Sequence, residues 1–357
     1  MITDLVPLRR IAALLLLSLA TLPTACARPV AAEPEVVLCT CAGTELARQV
    51  VAPFEEATGI PVRIERISRD GGGEAVARRL DEARGDVFWG PEVTVAVDLA
   101  RLGRLARLEP LPAGAAGIPA RFRDPEGRWF GFAARARVLV VNTDLVPADR
   151  RPTSMWDVID PRWKGRTAFT RPGYGTACYH IGALEAALGQ AECEHFLRGV
   201  ETNGCVIAPG DGALARLVAA GGACFGFTDT SDALRVAESG APVEIVYPDQ
   251  DGVGTLILPN TLGVLTRAPH PEAARRLCEF LLSAEVEARL AEGSRRQIPL
   301  RPGVAHPPAV RVCDDLRELR VDAVEAARLS DASEARWAAR FVADPALVEA
   351  EARRRRR

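Results

Sequence analysis

The segment from Cys39 to Thr44 combines two thiols with the pattern of a strand that runs into a helix. Cys39 and Cys41 alternate, and because alternate strand residues share a face, they could form a thiol or soft-metal site. The other interpretation is two small residues at a strand end. Where a strand ends and a helix starts, free backbone N–H groups can hold an oxyanion. We therefore expect Thr40, Cys41 and Thr44 to line an anion site, with an ordinary turn capped by Thr44 as the alternative.

Carboxylates and hydroxyls alternate in the run Phe227 to Asp232, FTDTSD. Asp229 and Asp232 could supply oxygen ligands to a hard cation, or accept hydrogen bonds from the amine or hydroxyls of an organic ligand. Thr230 and Ser231 add hydroxyl groups between them. The alternative is that this run is only a turn that caps the following helix. All four side chains are candidate ligand-binding residues.

Two glycines precede a predicted helix in the run Arg171 to Thr176, RPGYGT. Gly173 and Gly175 let the backbone approach a ligand closely. The N-terminus of the helix that begins near Thr176 favours negative charge. Tyr174 adds a phenol that could bind a metal.

The sequence carries none of the common catalytic signatures. It has no P-loop, no G-x-S-x-G elbow, no H-E-x-x-H and no G-x-G-x-x-G after a strand, and its four histidines are scattered. Basic and acidic residues are interspersed, with a formal net charge of −2, so no basic face suggests nucleic acid. The residues therefore predict neither a particular reaction nor a cofactor. A cleft enzyme that uses Cys41 or an acidic residue is the rival hypothesis.

Predicted strands alternate with predicted helices along the chain. Strands at Val36 to Leu38, Val62 to Ile67 and Asp86 to Trp89 are separated by helical stretches. This order favours a mostly parallel sheet with helices on both faces, which is the α/β class. Trp89 ends the third strand, where it could stack on a ligand or form cleft wall. The roughly 330 residues beyond the N-terminal segment are enough for two domains.

The N-terminal segment has the layout of a secretory signal. Arg9 and Arg10 precede an apolar run that ends in small residues around Cys26. We predict a signal peptide over residues 1–27 and export to the periplasm. Cleavage before Cys26 would instead leave a lipid-anchored cysteine.

Two further predictions concern cysteines and the C-terminus. Cys193 and Cys205 flank a short helix-to-strand segment, and export would allow a disulfide between them. The last residues, 346–357, contain the run Arg353 to Arg357. We expect this basic tail to be a solvated, disordered end.

Several short motifs resemble one protein family by their order and spacing. They are Phe54 to Val62 (FEEATGIPV), Asp86 to Trp89 (DVFW), Pro161 to Gly165 (PRWKG) and Pro259 to Thr261 (PNT). From about Val36 to Pro302 the chain resembles the type 2 periplasmic solute-binding proteins of ABC transporters, in the branch related to ferric-iron-binding proteins. The resemblance implies a two-lobed α/β clamshell with a mixed sheet in each lobe and a hinge between them. Lobe one would comprise 36–137 plus 256–312, and lobe two 138–255 plus 313–345.

The resemblance also implies roles for particular residues. Arg137, with Arg135 beside it, would contact the bound anion, since the planar guanidinium binds carboxylate or phosphate through two parallel hydrogen bonds. The loop from Gly173 to Thr176 would complete the anion pocket, and Glu92 matches the acidic position of the family. An interlobe salt bridge or a solvated strand edge is the alternative for the two arginines.

The departures from the family pattern concern metal binding. Thr230 and Ser231 stand where the ferric-binding relatives carry two adjacent tyrosines, and a hydroxyl is a poor substitute for phenolate on ferric iron. The metal-binding histidine of those relatives, expected near Cys41, is also missing. We therefore predict a monomer that captures a small anionic or zwitterionic solute and delivers it to a membrane permease. Ferric iron with a synergistic anion is the alternative, and its candidate ligands are Glu92, Asp229, Asp232 and Tyr174.

Overall fold

The computed structural model describes residues 35–70, 72–172 and 177–355. The predicted signal peptide with Cys26 lies outside the described residues, and so do Gly173, Tyr174, Gly175 and Thr176. Within the described ranges, no helix is long and apolar enough to cross a membrane.

Strands and helices alternate through most of the described chain. The strands are β1 (Val36–Thr40), β2 (Val62–Arg66), β3 (Val87–Gly90), β4 (Phe130–Asn142), β5 (Thr167–Thr170), β6 (Val206–Ala208), β7 (Phe225–Asp229), β8 (Val243–Val246) and β9 (Ile257–Val264). The helices are α1 (Thr44–Thr58), α2 (Gly72–Glu82), α3 (Val93–Arg101), α4 (Ala177–Leu188), α5 (Gln190–Thr202), α6 (Asp211–Ala219), α7 (Thr230–Glu238), α8 (Pro271–Leu281), α9 (Ala284–Glu292), α10 (Ala323–Trp337) and α11 (Pro345–Arg355).

The first strand and helix show why these segments form. Every residue of β1 is buried, with Val36 and Leu38 in one hydrophobic core and Val37 and Cys39 in the other. This alternation follows from the two-residue period of a strand. Helix α1 ends at Gly59, whose φ of +71° is the left-handed conformation that glycine adopts most easily. β1 therefore separates two cores, one on each face of the sheet.

The sheet is mixed and is continuous through β4. Its strand order is β2-β1-β3-β9-β4-β7-β5-β6, and β8 also pairs with β4. β1 pairs in parallel with β2 and β3, and β5 pairs in parallel with β6 and β7. β4 and β9 are antiparallel to their neighbours. The predicted α/β class with helices on both faces is confirmed.

β4 is thirteen residues long and belongs to both halves of the sheet. Its first part, through Ala136, pairs with β9. From Arg137 onwards it pairs with β7 and β8 instead. The change of partner divides the sheet into a first half around β1 and a second half around β5. The residues that join the two halves therefore lie in the middle of β4.

The C-terminal segment forms two helices, which corrects the prediction of a solvated, disordered tail. α11 starts at Pro345, and the Asp344 carboxylate accepts a hydrogen bond from the Ala346 N–H at 2.8 Å. Proline suits the first helical position, and the residues that follow are good helix formers. On α11, Glu351 forms an ion pair with Arg216 of α6. The described part of the tail is thus held against the body of the protein.

The predicted disulfide between Cys193 and Cys205 is wrong. Both are free thiols, as are the other cysteines of the described chain. Cys193 lies in the first turns of α5, whereas Cys205 follows the end of that helix. The Cys205 N–H donates to the Val200 carbonyl at 3.2 Å. Val200 lies about 10 Å from Cys193 along the helix axis at about 1.5 Å per residue, too far for a disulfide.

Helix α10 packs very closely on α4. At Gly182 of α4, an added Cβ atom would lie 2.3 Å from the Ala326 carbonyl oxygen and 2.2 Å from Ser330 Oγ. Further along the same interface, the Glu185 carboxylate accepts hydrogen bonds from Ser333, at 2.5 Å, and from Arg336. The two helices form one rigid pair.

We expect Gly182→Ala to lower the free energy of unfolding by about 1–3 kcal/mol, because the methyl group must push the α10 backbone away. The control is Gly43→Ala, since no atom lies within 4 Å of the Cβ position there and its φ is −70°. Urea unfolding followed by circular dichroism measures both. Equal stability of the two variants would contradict the close packing.

Candidate functional site

A pocket of about 360 Å³ lies where the two halves of the sheet meet; we call it the cleft pocket. It is lined by Cys41, Arg69 and Pro91 of the first half, by Arg135 of β4, by residues 209–213, Arg216, Asp229, Asp232 and Arg235 of the second half, and by Glu351 and Arg354 of α11. Arginine and carboxylate side chains dominate this lining. The site is therefore suited to a charged solute.

Arg135 connects the two halves across the cleft pocket. Its guanidinium donates a hydrogen bond to the Pro91 carbonyl and lies 3.4 Å from the Asp229 carboxylate. Its side chain is 13 % exposed. Arg135 thus lies in the lining of the cleft pocket, and its contact with a ligand stays a prediction.

The position of Arg137 corrects the expectation that this residue contacts the ligand. Its side chain is 0 % exposed, and Nη1 donates to Asp211 Oδ1 at 2.9 Å. Nη2 donates to the Phe227 carbonyl at 3.1 Å, and the guanidinium lies 5.3 Å from the centre of the Phe227 ring. Arg137 is therefore held inside the protein by Asp211 and the Phe227 carbonyl and is not part of the pocket lining. It supports Asp211, the first residue of α6, and does not line the pocket.

The start of α6 is a part of the site that the sequence analysis missed. Gly210 occupies the N-cap position and offers no side-chain cap, and residues 209–213 line the cleft pocket. The Asp211 carboxylate accepts hydrogen bonds from Thr170 at 2.8 Å and from Arg137. The segment from Pro209 to Gly212 runs from a strand into a helix, as the segment from Cys39 to Thr44 does. This shared strand-to-helix pattern could have identified the segment from Pro209 to Gly212 as part of the site.

Asp229 and Asp232 lie in the lining of the cleft pocket, where contact with a ligand stays a prediction, and Asp229 fulfils the capping alternative. Asp229 caps α7 by accepting the Asp232 N–H at 3.0 Å, and Asp232 pairs with Arg235 at 2.5 Å. Burial, together with the nearby carboxylates of Asp229 and Asp211, raises the pKa of Asp232 to about 7. A buried carboxylic acid next to a carboxylate tolerates a cationic or hydrogen-bond-donating group better than another anion.

Thr230 and Ser231 lie behind the pocket rather than in its lining. Thr230 Oγ1 accepts a hydrogen bond from the Ala136 N–H at 3.1 Å, and Ser231 is 3 % exposed. The hydroxyl of Thr230 therefore serves the junction of β4 with α7. Neither residue lines the cleft pocket, which corrects their prediction as ligand-binding residues.

The loop after β1 is only partly as predicted. Cys41 lines the pocket, whereas Thr40 is buried and donates a hydrogen bond to the Trp89 carbonyl at 3.1 Å. Gly43, and not Thr44, occupies the N-cap position of α1, and Thr44 is exposed. Trp89 is buried against Phe132, with ring centres 5.0 Å apart, so it does not stack on a ligand. The predictions for Thr40, Thr44 and Trp89 as ligand contacts are wrong in this structure.

Glu92 is fully buried and caps α3, where its carboxylate accepts the Thr94 N–H at 2.6 Å. Arg69 approaches it to 3.7 Å. Within the described chain, no group of three or more histidine, cysteine, aspartate or glutamate side chains could hold a metal ion. Glu92, Asp229 and Asp232 therefore do not form the predicted metal site by themselves, and Tyr174 lies outside the described residues.

Cys41 has the chemistry of a buried thiol. Burial raises its pKa to about 12, despite the nearby Arg69 guanidinium. Because the thiolate is the nucleophilic form, the raised pKa disfavours nucleophilic chemistry at Cys41 near neutral pH.

A two-lobed α/β fold with a charged pocket between the halves defines a solute-binding protein. The family profile of the bacterial extracellular solute-binding proteins matches residues 36–293, and the chain belongs to this family. It is a binding protein and not an enzyme, as predicted.

Two relatives and one solved structure illustrate the similarity. Iron uptake protein A1 of Synechocystis sp. is 28% identical over 270 residues, which cover 72% of this chain and 73% of the relative. A Salmonella typhimurium protein with the provisional name 2-aminoethylphosphonate-binding periplasmic protein is 27% identical over 254 residues, or 67% of this chain and 69% of the relative. Iron-bound HitA from Pseudomonas aeruginosa superposes with a TM-score of 0.73 at 24% identity, over 84% of this chain and 98% of HitA. The resemblance to the ferric-binding branch of the type 2 fold is thereby confirmed.

We expect Asp232→Asn to change how stability depends on pH. The pKa of an aspartate in an unfolded chain is about 3.9. The pKa of Asp232 in the folded protein is about 7. Between these values the folded protein holds a proton that the unfolded chain has lost, so the contribution to stability is present at low pH and is lost as the pH rises towards 7.

Urea unfolding at about pH 4, 5.5 and 7 checks this sign. Stability of the unsubstituted protein should fall more between the lowest and the highest pH than that of Asp232→Asn. If the difference between the two proteins is the same at all three values, folding does not raise the pKa of Asp232.

Proposed function

We propose that the cleft pocket captures a small organic acid, a carboxylate, phosphate or phosphonate, for delivery to a membrane permease. The observation that carries the proposal is the ion pair of Glu351 with Arg216 at the edge of the pocket. There a carboxylate of the chain itself occupies the position that the acid group of a solute would take. Charge-assisted hydrogen bonds of this kind are the strong ones.

The charge of the lining supports the same proposal. The pocket is lined by five arginines and four carboxylates, so its arginines outnumber its carboxylates. Burial lowers the pKa of Arg216, which means that its charge is incompletely solvated. An incoming anion would stabilise the positive charge of Arg216, which burial destabilises. The uncapped N-terminus of α6 favours negative charge at the same wall.

We propose that capture involves closure of two lobes with the predicted boundaries, 36–137 plus 256–312 and 138–255 plus 313–345. The change of β4 pairing partner between Ala136 and Arg137 supports the first of these boundaries. The protein would act as a periplasmic monomer after removal of residues 1–27. A lipid anchor on Cys26 is the alternative form.

Ferric iron is the second candidate solute. The names of the Synechocystis relative and of iron-bound HitA favour it. The chemistry of the described residues opposes it, because Thr230 and Ser231 supply no phenolate and the carboxylates are paired with arginines or cap helices. Metal analysis of protein incubated with ferric citrate decides between them: stoichiometric iron would support the second candidate.

We expect Arg216→Met to weaken binding of an organic acid at least tenfold, about 1.4 kcal/mol, because a charge-assisted hydrogen bond is lost. Thermal unfolding against carboxylates, phosphate and alkylphosphonates identifies a ligand, and calorimetry then gives its affinity. The matched control is Arg151→Met, since Arg151 is similarly half-buried and pairs with Glu244 away from the pocket.

Glu351→Gln is the third variant to be measured in the same calorimetric experiment. It should strengthen binding, since the solute no longer competes with an internal carboxylate for Arg216. If Arg216→Met and Arg151→Met bind the acid equally well, the cleft pocket is not where the acid group lies.

A further inference from the structure

A second cavity of about 720 Å³ adjoins the cleft pocket. Cys41 and Arg69 line both cavities, so they form a common wall. We call the second cavity the acidic chamber, because its other walls carry Asp98 of α3 and Asp331 and Glu334 of α10, together with Thr94. Of the ligand-binding residues predicted from the sequence, Cys41 alone is in its lining.

Negative charge in the acidic chamber is only partly compensated. Its lining contains four carboxylates, Asp70, Asp98, Asp331 and Glu334, against two guanidinium groups, Arg66 and Arg69.

The contacts that Asp98 and Glu334 make within the protein do not neutralise the negative charge of the chamber. Asp98 approaches Arg101 only to 3.7 Å, and Glu334 accepts a hydrogen bond from the Cys178 thiol at 3.2 Å. Burial, reinforced by Asp331, raises the pKa of Asp98 to about 6. Burial also raises the pKa of Asp331, to which Glu334 adds. The chamber therefore favours a cation.

A buried hydroxyl in the chamber wall lacks a partner. Thr94 is 3 % exposed, and its Oγ1 makes no hydrogen bond within the described chain. Buried polar atoms are nearly always satisfied in folded proteins. An unsatisfied hydroxyl in the lining of a cavity is therefore an independent sign of a ligand with hydrogen-bonding groups.

The carboxylates are not arranged for a metal ion. Among the described residues, no three acidic, cysteine or histidine side chains converge closely enough to hold one. A primary ammonium group instead offers three N–H donors that can point to separate acceptors. Asp98 on α3 and Asp331 and Glu334 on α10 offer carboxylate acceptors of the kind that such a group needs.

We propose that the acidic chamber binds the ammonium group of a zwitterionic solute whose acid group lies in the cleft pocket. This inference rests on the proposed function and narrows its substrate class to compounds with a primary amine separated by a short chain from a carboxylate or phosphonate. Cys41, as a neutral thiol on the common wall, lies between the two charged ends. Lobe closure would then bury both ends together.

The test compares 2-aminoethylphosphonate with ethylphosphonate by isothermal titration calorimetry, because the two differ only in the amine. In the unsubstituted protein the amine should strengthen binding at least tenfold. Asp331→Asn combined with Glu334→Gln should remove most of that gain without weakening ethylphosphonate binding, because fewer carboxylates then repel the anion. Glu325→Gln on the same helix is the control, since Glu325 faces solvent and pairs with Arg328.

The outcomes separate the two proposals. Equal binding of both compounds to the unsubstituted protein overturns the ammonium subsite and leaves the organic-acid function standing. An amine preference that survives in the Asp331 and Glu334 variant also overturns it, because the amine must then lie elsewhere. If neither compound binds, whereas stoichiometric iron does, both proposals fail together.

Discussion

The cleft depends on a guanidinium that has no access to water. Arg137 is wholly buried, and its partner Asp211 begins α6 and also accepts a hydrogen bond from Thr170 of β5. Removing one member of such a buried pair typically costs about 3–5 kcal/mol, because the other charge is left uncompensated. This pair therefore fixes the start of α6 against β4, β5 and β7. The pocket wall at residues 209–213 follows from that constraint.

The surroundings of Arg137 exclude a second positive charge. His180 lies against Phe227 with ring centres 4.7 Å apart, and burial together with Arg137 lowers its pKa well below the ordinary range. The imidazole is therefore neutral, and Asp211 remains the counter-ion of Arg137. This arrangement separates two roles that the sequence could not separate: Arg137 organises the wall, and Arg135 reaches the cleft.

The sequence was sufficient for the parts of the fold that rest on local periodicity. β1, α1 and β3 are where alternation and helical spacing place them, and Gly59 ends α1 as its lack of a Cβ suggests. The site was harder because its contacts are remote in sequence. Arg137 and its partner Asp211 are 74 positions apart in the sequence, and Arg216 and its partner Glu351 are 135 positions apart. Local patterns contain no signal for such pairs, and for the same reason the basic tail could not be recognised as part of the pocket.

Under the proposed function, binding in the cleft pocket would be an exchange of partners. Arg135, Arg216 and Arg235 already have carboxylate or carbonyl partners within the protein. A solute gains affinity only by the difference between its contacts and those it replaces, so tight binding requires that the released groups find new partners. A simple anion that displaces Glu351 from Arg216 leaves the Glu351 carboxylate without a partner. A zwitterionic solute can instead pair with the arginines of the cleft pocket and with the carboxylates of the acidic chamber at the same time. Rejection of solutes that leave a buried charge unpaired is then the physical source of specificity.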